Sequence, residues 1–276
     1  MDQSPIAVNE YNTFRRYLED ACGIVLGENK HYLVTSRLKR VTEEFSFPSL
    51  SDMMTTLVKG NDRILREKVI DAMTTNETMW FRDVYPFEIL KNELLPELSK
   101  NKAPIRIWSA ASSTGQEAYS ISMAVSEFQQ KNPGKLTSNV EIVGTDISQT
   151  VVNQAKQGNY DELSVIRGLS PERRDKFFTK RDDKWTVRQE IMQRARFTEL
   201  NLLNSYSLLG KFDIIFCRNV LIYFSSEMKK DILERMAQIL KPGGTLILGG
   251  SESPTGYTRA FVMKRYPDGV VYQLNG

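Results

Sequence analysis

The sequence is poor in the residues that usually carry metal and nucleophile chemistry. Its 276 residues include one histidine, His31, and two cysteines, Cys22 and Cys217. The cysteines lie far apart in the chain and form neither a metal-binding nor a redox spacing. One histidine cannot supply a typical zinc site or a histidine-based catalytic triad. We therefore expect no metal centre, and a chain whose thiols stay reduced.

Long apolar runs and a strong net charge are also missing. The apolar stretch Asp213–Phe224 is interrupted by Arg218 and Asn219, and no run reaches the length of a membrane span. The N-terminus shows no basic segment followed by an apolar one, so we expect no secretory signal. A net charge of +3 is too small to indicate nucleic-acid binding by itself. These absences predict a cytoplasmic protein without membrane insertion or a nucleic-acid partner.

Residues 1–75 show helical periodicity and no strand pattern, which predicts a separate all-helical domain. The apolar spacing predicts a first helix that is capped by Asn9 and reaches Cys22. It predicts three further helices at Lys30–Phe45, Leu50–Val58 and Asn61–Met73.

The second of these helices carries a cluster of positive charge. Lys30, Arg37 and Arg40 fall along one edge of its apolar face, and Lys39 lies opposite. Two interpretations stay open on this pattern alone. The charges form a solvated face, or they form a docking surface for an acidic protein.

From Pro104 onward strands alternate with helices, which predicts an α/β domain with a parallel sheet. We predict a linker and connecting helix over residues 76–98, then a domain over residues 99–276. Its predicted strands are Ile105–Ala110, Val140–Gly144, Arg196–Leu200, Phe212–Cys217, Thr245–Gly249 and a final hairpin of Phe261–Tyr266 and Val270–Leu274. The periodicity breaks over about residues 160–195, where two short alternating runs predict an inserted β-ribbon.

The turn after the first strand is the strongest local candidate for a site. Small residues follow Ala110 and lead into a helix near Glu117, as in an ordinary strand-to-helix turn or a turn that holds a cofactor. Gly115 is its only glycine, so the pattern that binds dinucleotide pyrophosphates is absent. Asp146 ends the second strand, where α/β folds place a ribose-binding carboxylate. These features favour S-adenosylmethionine over NAD or FAD.

Five ordered segments make the assignment more specific. They are Thr74–Asp83, Trp108–Met123, Gly144–Ile147, Asn201–Leu203 and Phe212–Phe224. Together they resemble the CheR family, the bacterial methyltransferases of chemoreceptor glutamates, and the resemblance covers essentially the whole chain. It implies a Rossmann-like S-adenosylmethionine methyltransferase sheet that ends in an antiparallel hairpin. A small all-α N-terminal domain and an inserted β-ribbon subdomain complete the implied fold.

The resemblance also implies roles for individual residues. Arg82 and Tyr223 match the residues nearest the reacting centre. The residues that match family contacts to S-adenosylmethionine are Asn76, Thr78, Arg82, Gly115, Glu117, Asp146, Asn201, Leu202, Arg218 and Asn219. The chain departs from the family at Ala118, where proline is frequent, so a favourable helix start is lost without loss of a ligand group.

The implied reaction suits a chain with little acid–base equipment. A glutamate carboxylate is ionised at neutral pH and needs no general base to accept a methyl group. Alignment of the two reactants can therefore supply the catalysis, with S-adenosylhomocysteine as product.

The resemblance implies partners as well. Lys30, Arg37, Lys39 and Arg40 would meet acidic, glutamate-bearing receptor helices, with the enzyme recruited to receptor arrays at the inner membrane. The short turn Arg181–Lys184 lacks a Gly-rich extension, so we expect independence from a receptor C-terminal pentapeptide.

Three other functions compete with this one. A nucleic-acid methyltransferase would need an Asn/Asp-Pro-Pro-aromatic motif, which Cys217–Val220 does not supply. A signalling scaffold with little turnover is disfavoured by the presence of Asn76, Arg82, Asp146 and Tyr223. A methyltransferase that acts on another protein remains an alternative.

Overall fold

The computed structural model describes residues 6–60 and 62–275, and the chain divides into two compact units. The helical unit comprises the residues up to Thr75 together with Tyr223–Met228. The sheet unit comprises Asn76–Ile222 and the residues from Lys229 onward.

The described residues of the helical unit form four amphipathic helices: α1 (Val8–Cys22), α2 (His31–Glu44), α3 (Leu50–Val58) and α4 (Arg63–Met73). Their apolar faces form a core that includes Phe14, Leu18, Val34, Leu38, Met53, Leu57, Leu65 and Val69. Gly23 follows the last residue of α1 and terminates the helix, with a left-handed φ of 78° that glycine readily adopts.

Two of the predicted helix starts involve Asn9 and Asn61. The prediction that Asn9 caps α1 is wrong, because α1 begins two residues earlier, at Val8, and Ala7 takes the capping position. There the Glu10 carboxylate accepts the Ala7 N–H at 3.2 Å, in place of the expected asparagine contact. Asn61, the predicted start of α4, lies outside the described residues. Asp62 caps α4 by accepting the Leu65 N–H at 2.9 Å.

Two sheets are formed by the residues of the sheet unit that the structure describes. In chain order the strands are β1 (Ile105–Ala110), β2 (Val140–Asp146), β3 (Asn159–Tyr160), β4 (Phe178–Arg181), β5 (Lys184–Val187), β6 (Ala195–Glu199), β7 (Phe212–Cys217), β8 (Leu240–Leu248), β9 (Phe261–Tyr266) and β10 (Gly269–Leu274). The main sheet has the order β6-β2-β1-β7-β8-β10-β9. Its first five strands run parallel, and β10 and β9 form the predicted antiparallel end.

The remaining helices are α5 (Tyr85–Ile89), α6 (Leu95–Ser99), α7 (Gln116–Lys131), α8 (Gln149–Gln157), α9 (Glu162–Ile166), α10 (Pro171–Phe177), α11 (Gln189–Met192) and α12 (Ser226–Ile239). A π-helical turn over Leu90–Leu94 joins α5 to α6. The predicted connecting helix is therefore present with a π-helical turn inside it, and Pro96 has no N–H to give this stretch. No helix in the part of the chain that the structure describes is long and apolar enough to cross a bilayer.

The inserted segment, residues 160–195, contains the predicted ribbon as the antiparallel pair β4 and β5. β5 also pairs with β3, which gives a small sheet of order β3-β5-β4. The three short helices α9, α10 and α11 were not predicted. They span four to seven residues, too few to show an apolar period.

The strand order places the candidate site. β2 and β6, which follow β1 in the chain, lie on one side of β1 in the sheet. β7 and β8, which come next, lie on the other side of β1. The connections after β1 and β7 therefore diverge, which opens a crevice at the carboxyl ends of these two strands. Open α/β sheets bind their ligands at such a switch point.

Candidate active site

The turn after β1 is compact and strongly shaped by its neighbours. Ala111, Ser113 and Gly115 all have positive φ, of 56°, 50° and 96°. A Cβ on Gly115 would lie 3.0 Å from the Cβ of Ala155 in α8 and 3.2 Å from the Tyr160 hydroxyl. One glycine, at position 115, therefore meets both requirements of this turn: the left-handed backbone conformation and the close approach of α8.

Asp146 fixes this turn from the neighbouring strand. Its Oδ2 accepts the Ser113 N–H at 2.9 Å, and its Oδ1 accepts the Ser148 N–H at 3.1 Å. The Ser113 hydroxyl in turn donates to the Asn76 carbonyl at 2.9 Å. The predicted residues Asp146 and Asn76 are therefore brought together through the turn.

Asn201 and Leu202 follow β6, on the far side of β2. The Leu200 N–H donates to the Asp146 carbonyl at 2.8 Å, so this segment lies beside the end of β2. Asn201 Oδ1 accepts the Leu203 N–H at 3.0 Å, and the carbonyl of the buried Leu202 accepts from Arg235 at 2.8 Å. Both residues border the same strand-end region.

Arg218, one residue after β7, is a deeply buried charge, with a side chain 1% exposed. Its guanidinium donates to Glu117 Oε2 at 2.9 Å, Asp83 Oδ2 at 2.7 Å and the Arg82 carbonyl at 2.8 Å. Glu117 Oε1 also accepts from the Ser109 hydroxyl at 2.8 Å. A buried charge needs such partners. Arg218 and Glu117, both predicted as cofactor contacts, form an ion pair with each other. Arg218 also binds the Arg82 carbonyl and the Asp83 carboxylate.

Glu252, which sequence reasoning missed, lies beside the candidate site. Its nearly buried carboxylate accepts the N–H groups of Asn219 at 2.6 Å, Val220 at 3.1 Å and Gly249 at 2.8 Å. It thereby joins the end of β7 to the end of β8 and holds Asn219 at a φ of 58°. The available signal was an acidic residue just past a strand end, the rule that singled out Asp146.

The linker, residues 76–84, has no regular secondary structure and carries strained backbone. Phe81, Asp83 and Val84 have φ values of 48°, 66° and 55°. The Tyr85 N–H donates to the Asp83 carbonyl at 2.5 Å across Val84, whose positive φ is costly for a β-branched residue. Arg82 is half-buried and donates to the Glu77 carbonyl at 3.3 Å. Strain of this kind clusters at functional sites.

Unsatisfied polar atoms test whether the region suits a ligand. Four buried side-chain atoms have no hydrogen-bond partner among the described residues, and three of them are Ser112 Oγ, Arg218 Nε and Asn219 Oδ1. All three belong to the segments that follow β1 and β7. Buried polar groups in native proteins are normally paired, so an unpaired set at a strand-end crevice fits a polar ligand. A hydroxyl, a donor and an acceptor suit S-adenosylmethionine, which offers hydroxyl, amino and carboxylate groups.

Cys217 ends β7 but offers no nucleophile. Its side chain is fully buried, and burial raises the pKa of the thiol well above its ordinary value. The thiol stays protonated at neutral pH, so covalent catalysis through it is disfavoured.

Tyr223 lies in the short segment that belongs to the helical unit. It is half-buried, and its carbonyl accepts the Val25 N–H at 2.9 Å. Its role at the reacting centre remains a prediction.

The basic residues of α2 are not equivalent. Lys30, Lys39 and Arg40 are exposed and form no ion pair with the described residues. Arg37 instead donates to the carbonyls of Met73 at 2.6 Å and Thr74 at 3.1 Å, and to the Thr75 hydroxyl at 2.9 Å. A cation at a helix C-terminus is favourable there, so Arg37 has a structural role at the end of α4 that the sequence pattern did not show.

Comparison with protein families decides the assignment. The model described as the CheR methyltransferase SAM binding domain matches residues 76–269, and that of the CheR methyltransferase all-alpha domain matches residues 9–74. The chain belongs to the CheR methyltransferase family.

Similar proteins carry matching names. The chemotaxis protein methyltransferase of Vibrio parahaemolyticus is 53% identical over 98% of both chains, and chemotaxis protein methyltransferase 1 of Vibrio cholerae is 54% identical over 98% of both. Chemotaxis protein methyltransferase 1 of Pseudomonas aeruginosa is 50% identical over 96% of this chain and 97% of the relative.

These matches confirm the predicted family, fold class, enzyme class and cofactor. The chain is an S-adenosylmethionine-dependent methyltransferase with an all-α N-terminal part. Which residues of this CheR-family enzyme touch the cofactor stays a prediction.

Proposed function

We propose that this enzyme transfers a methyl group from S-adenosylmethionine to glutamate side chains of chemoreceptors and forms methyl esters. The observation that carries the proposal is the family match over both parts of the chain, the all-α part included. The names of the relatives, chemotaxis protein methyltransferases, point to the same substrate.

The chemistry fits the residues present. A carboxylate oxygen attacks the methyl carbon, the carbon–sulfur bond breaks, and the electron pair stays on sulfur. S-adenosylmethionine supplies the methyl group on a sulfonium, which becomes neutral in S-adenosylhomocysteine. The attacking carboxylate is already ionised, so the lack of any histidine in the sheet unit costs nothing. The protein's task is to bind and align the two reactants.

We assign the cofactor to the crevice after β1 and β7, with Asp146 on the ribose hydroxyls. The proposed contacts are Asn76, Thr78, Arg82, Gly115, Glu117, Asp146, Asn201, Leu202, Arg218 and Asn219. Arg82 and Tyr223 are proposed to orient the substrate carboxylate by hydrogen bonds.

The proposed docking domain is residues 1–75, acting at receptor arrays on the cytoplasmic side of the inner membrane. The exposed Lys30, Lys39 and Arg40 give α2 a positive surface that suits acidic receptor helices. Arg37 contributes less in this proposal, because its guanidinium is bound at the end of α4.

Independence from a receptor pentapeptide is part of the proposal. The β4–β5 turn is tight, with Arg181 paired directly to Lys184. Titration calorimetry with an aromatic C-terminal pentapeptide should show no binding, and micromolar affinity would contradict this.

The experiment is transfer of radiolabelled methyl to membranes that contain chemoreceptors. The label should be released by base, as an ester requires. Tyr223→Phe should lower transfer roughly tenfold, the effect of one lost hydrogen bond, and leave affinity for S-adenosylhomocysteine nearly unchanged. Base-stable label would refute glutamate as acceptor, and lost affinity would refute the role of Tyr223.

A further inference from the structure

The inserted segment contacts the linker at Trp80 through both hydrogen bonds and ring packing. The Trp80 N–H donates to the Arg167 carbonyl at 3.2 Å, and its indole Nε1 donates to the Ser164 carbonyl at 3.0 Å. The rings of Tyr160 and Phe178 pack edge-on against the indole, with centroids 4.9 and 5.1 Å away. Trp80 is completely buried as a result.

The backbones of the two segments approach as closely as glycine permits. A Cβ on Gly168 would lie 2.1 Å from the Trp80 carbonyl oxygen, and Gly168 has a φ of 100°. Glu77, nearer the start of the linker, forms an ion pair with Arg167. The contact between the inserted segment and the linker is therefore built into the backbone as well as the side chains.

Arg173, in α10, holds the next residue of the linker. Its guanidinium lies over the Phe81 ring, with Cζ 3.7 Å from the ring centroid. Two parallel hydrogen bonds, of 2.7 and 3.0 Å, fix the guanidinium to Glu127 of α7. Such a bidentate pair sets the plane of the guanidinium, and a guanidinium is attracted to an aromatic face.

Three linker residues with positive φ require surroundings that hold them in place. The two ends of the linker are held by the strand-end site, through Ser113 at Asn76 and through Arg218 at Asp83. The middle is held from elsewhere. Ser120 accepts the Phe81 N–H at 3.0 Å, and the inserted segment supplies the contacts to Trp80 and the ring of Phe81.

We propose that the inserted segment keeps the linker in its strained, cofactor-competent conformation, and that Arg173 is a positioning residue for Arg82 through its stacking on Phe81. The proposal rests on the proposed contact between the linker and S-adenosylmethionine. It gives the inserted segment a function in cofactor binding.

The test compares Arg173→Ala with Arg174→Ala. Arg174 is a matched control on the same helix, because its guanidinium lies over Trp185 and pairs with Asp175, both outside the linker. The readouts are hydrogen exchange of the Phe81 amide in the ligand-free protein and calorimetric affinity for S-adenosylhomocysteine. Arg173→Ala should speed the exchange and weaken the affinity, each about tenfold, as expected for loss of one desolvated cation–π contact. Arg174→Ala should change neither.

Unchanged exchange and affinity in Arg173→Ala would overturn the proposal, as would weaker affinity with unchanged exchange at Phe81. If Arg173→Ala fails to fold, Arg173→Lys carries the test. It keeps a charge for Glu127 but loses the planar fork, so both readouts should change by an intermediate amount. A wild-type result for the lysine variant would refute the stacking role.

The outcome is separable from that of the proposed function. A wild-type protein that binds S-adenosylhomocysteine but transfers no methyl to receptor membranes would refute the function and leave this inference standing. The exchange of the Phe81 amide reports on the inserted segment without any ligand.

Discussion

The turn after β1 and the linker both border the candidate site, and both contain non-glycine residues with positive φ, but they are held in different ways. The turn is fixed by the ends of regular strands, through the Thr145 carbonyl, which accepts the Ser112 N–H at 2.8 Å, and the Asp146 carboxylate. The middle of the linker is fixed mainly by the inserted segment, through the Ser164 carbonyl at Trp80 and the Arg173 guanidinium at Phe81. The sheet thus supplies one wall of the site, and tertiary packing supplies the other.

This difference predicts that the linker can be loosened without disturbing the turn. The largest effect should follow from Trp80→Ala, which removes a completely buried indole between Tyr160 and Phe178. We expect the free energy of unfolding, measured with urea, to fall by about 3–5 kcal/mol. Trp80→Phe is the control. It keeps most of the packing and loses the Nε1 hydrogen bond, so about 1 kcal/mol should be lost. Equal losses would show that packing does not anchor the linker.

The turn should respond most strongly, in ligand affinity, to Asp146→Ala. The change leaves the N–H groups of Ser113 and Ser148 without their carboxylate and removes the proposed ribose contact. We expect calorimetric affinity for S-adenosylhomocysteine to fall about 100-fold, or about 2.7 kcal/mol. Asp146→Asn keeps one acceptor oxygen and should lose less. Affinity within threefold of wild type in the alanine variant would place the cofactor elsewhere.

A smaller effect is expected from Gly115→Ala, which strains the turn itself. The alanine Cβ meets Ala155 and the Tyr160 hydroxyl at a φ of 96°. Urea unfolding should show a loss of about 1–3 kcal/mol. Gly134→Ala separates conformation from contact, since Gly134 has a φ of 76° and an alanine Cβ there would meet nothing within 4 Å. If both variants lose the same amount, the close approach of α8 to the turn contributes nothing.

The smallest effect concerns how the stabilisation by Glu127 depends on pH. Glu127 fixes the Arg173 guanidinium that lies over Phe81 of the linker. Burial raises the pKa of Glu127, but the hydrogen bonds and charges of Arg173 and Lys91 outweigh it and leave the pKa below its ordinary value. The folded state therefore binds this proton less readily than the unfolded state. The ionised Glu127 carboxylate stabilises the folded state fully at pH values above its pKa in the unfolded chain. This stabilisation is lost as the pH falls through the lower pKa that Glu127 has in the folded state.

Urea unfolding of wild type and Glu127→Gln at several pH values tests this expectation. The difference between the two proteins should be below about 1 kcal/mol near neutral pH and should shrink toward acid. A difference that stays constant with pH would remove Glu127 as the titrating group.

The sequence predicted those parts of the fold that local periodicity controls. The bounds of β1, β7, β9 and α3 match the structure, because each shows a clear apolar pattern between recognisable ends. The π-helical turn before Pro96 and the four- to seven-residue helices of the inserted segment have no such pattern.

The partners of charged side chains were harder to predict. Periodicity placed Arg37 at the edge of an apolar face, but the carbonyls that it binds come from α4, and chain spacing does not reveal such a pairing. The motif resemblance singled out Arg218 and Glu117 but not their mutual ion pair. Glu252 follows a strand end, as Asp146 does, but its three N–H partners come from two separate strand ends, and local sequence does not show that pairing. Local sequence shows which groups are present, and tertiary packing decides what they bind.

A structure of the protein with S-adenosylhomocysteine tests the two-walled site most directly. The ribose hydroxyls should lie within hydrogen-bonding distance of the Asp146 carboxylate, and the ligand should pair with Ser112 Oγ and Asn219 Oδ1 while contacting Asn76, Thr78 or Arg82 of the linker. A ligand bound away from the strand ends of β1 and β7, or one that leaves the linker untouched, would contradict this assignment.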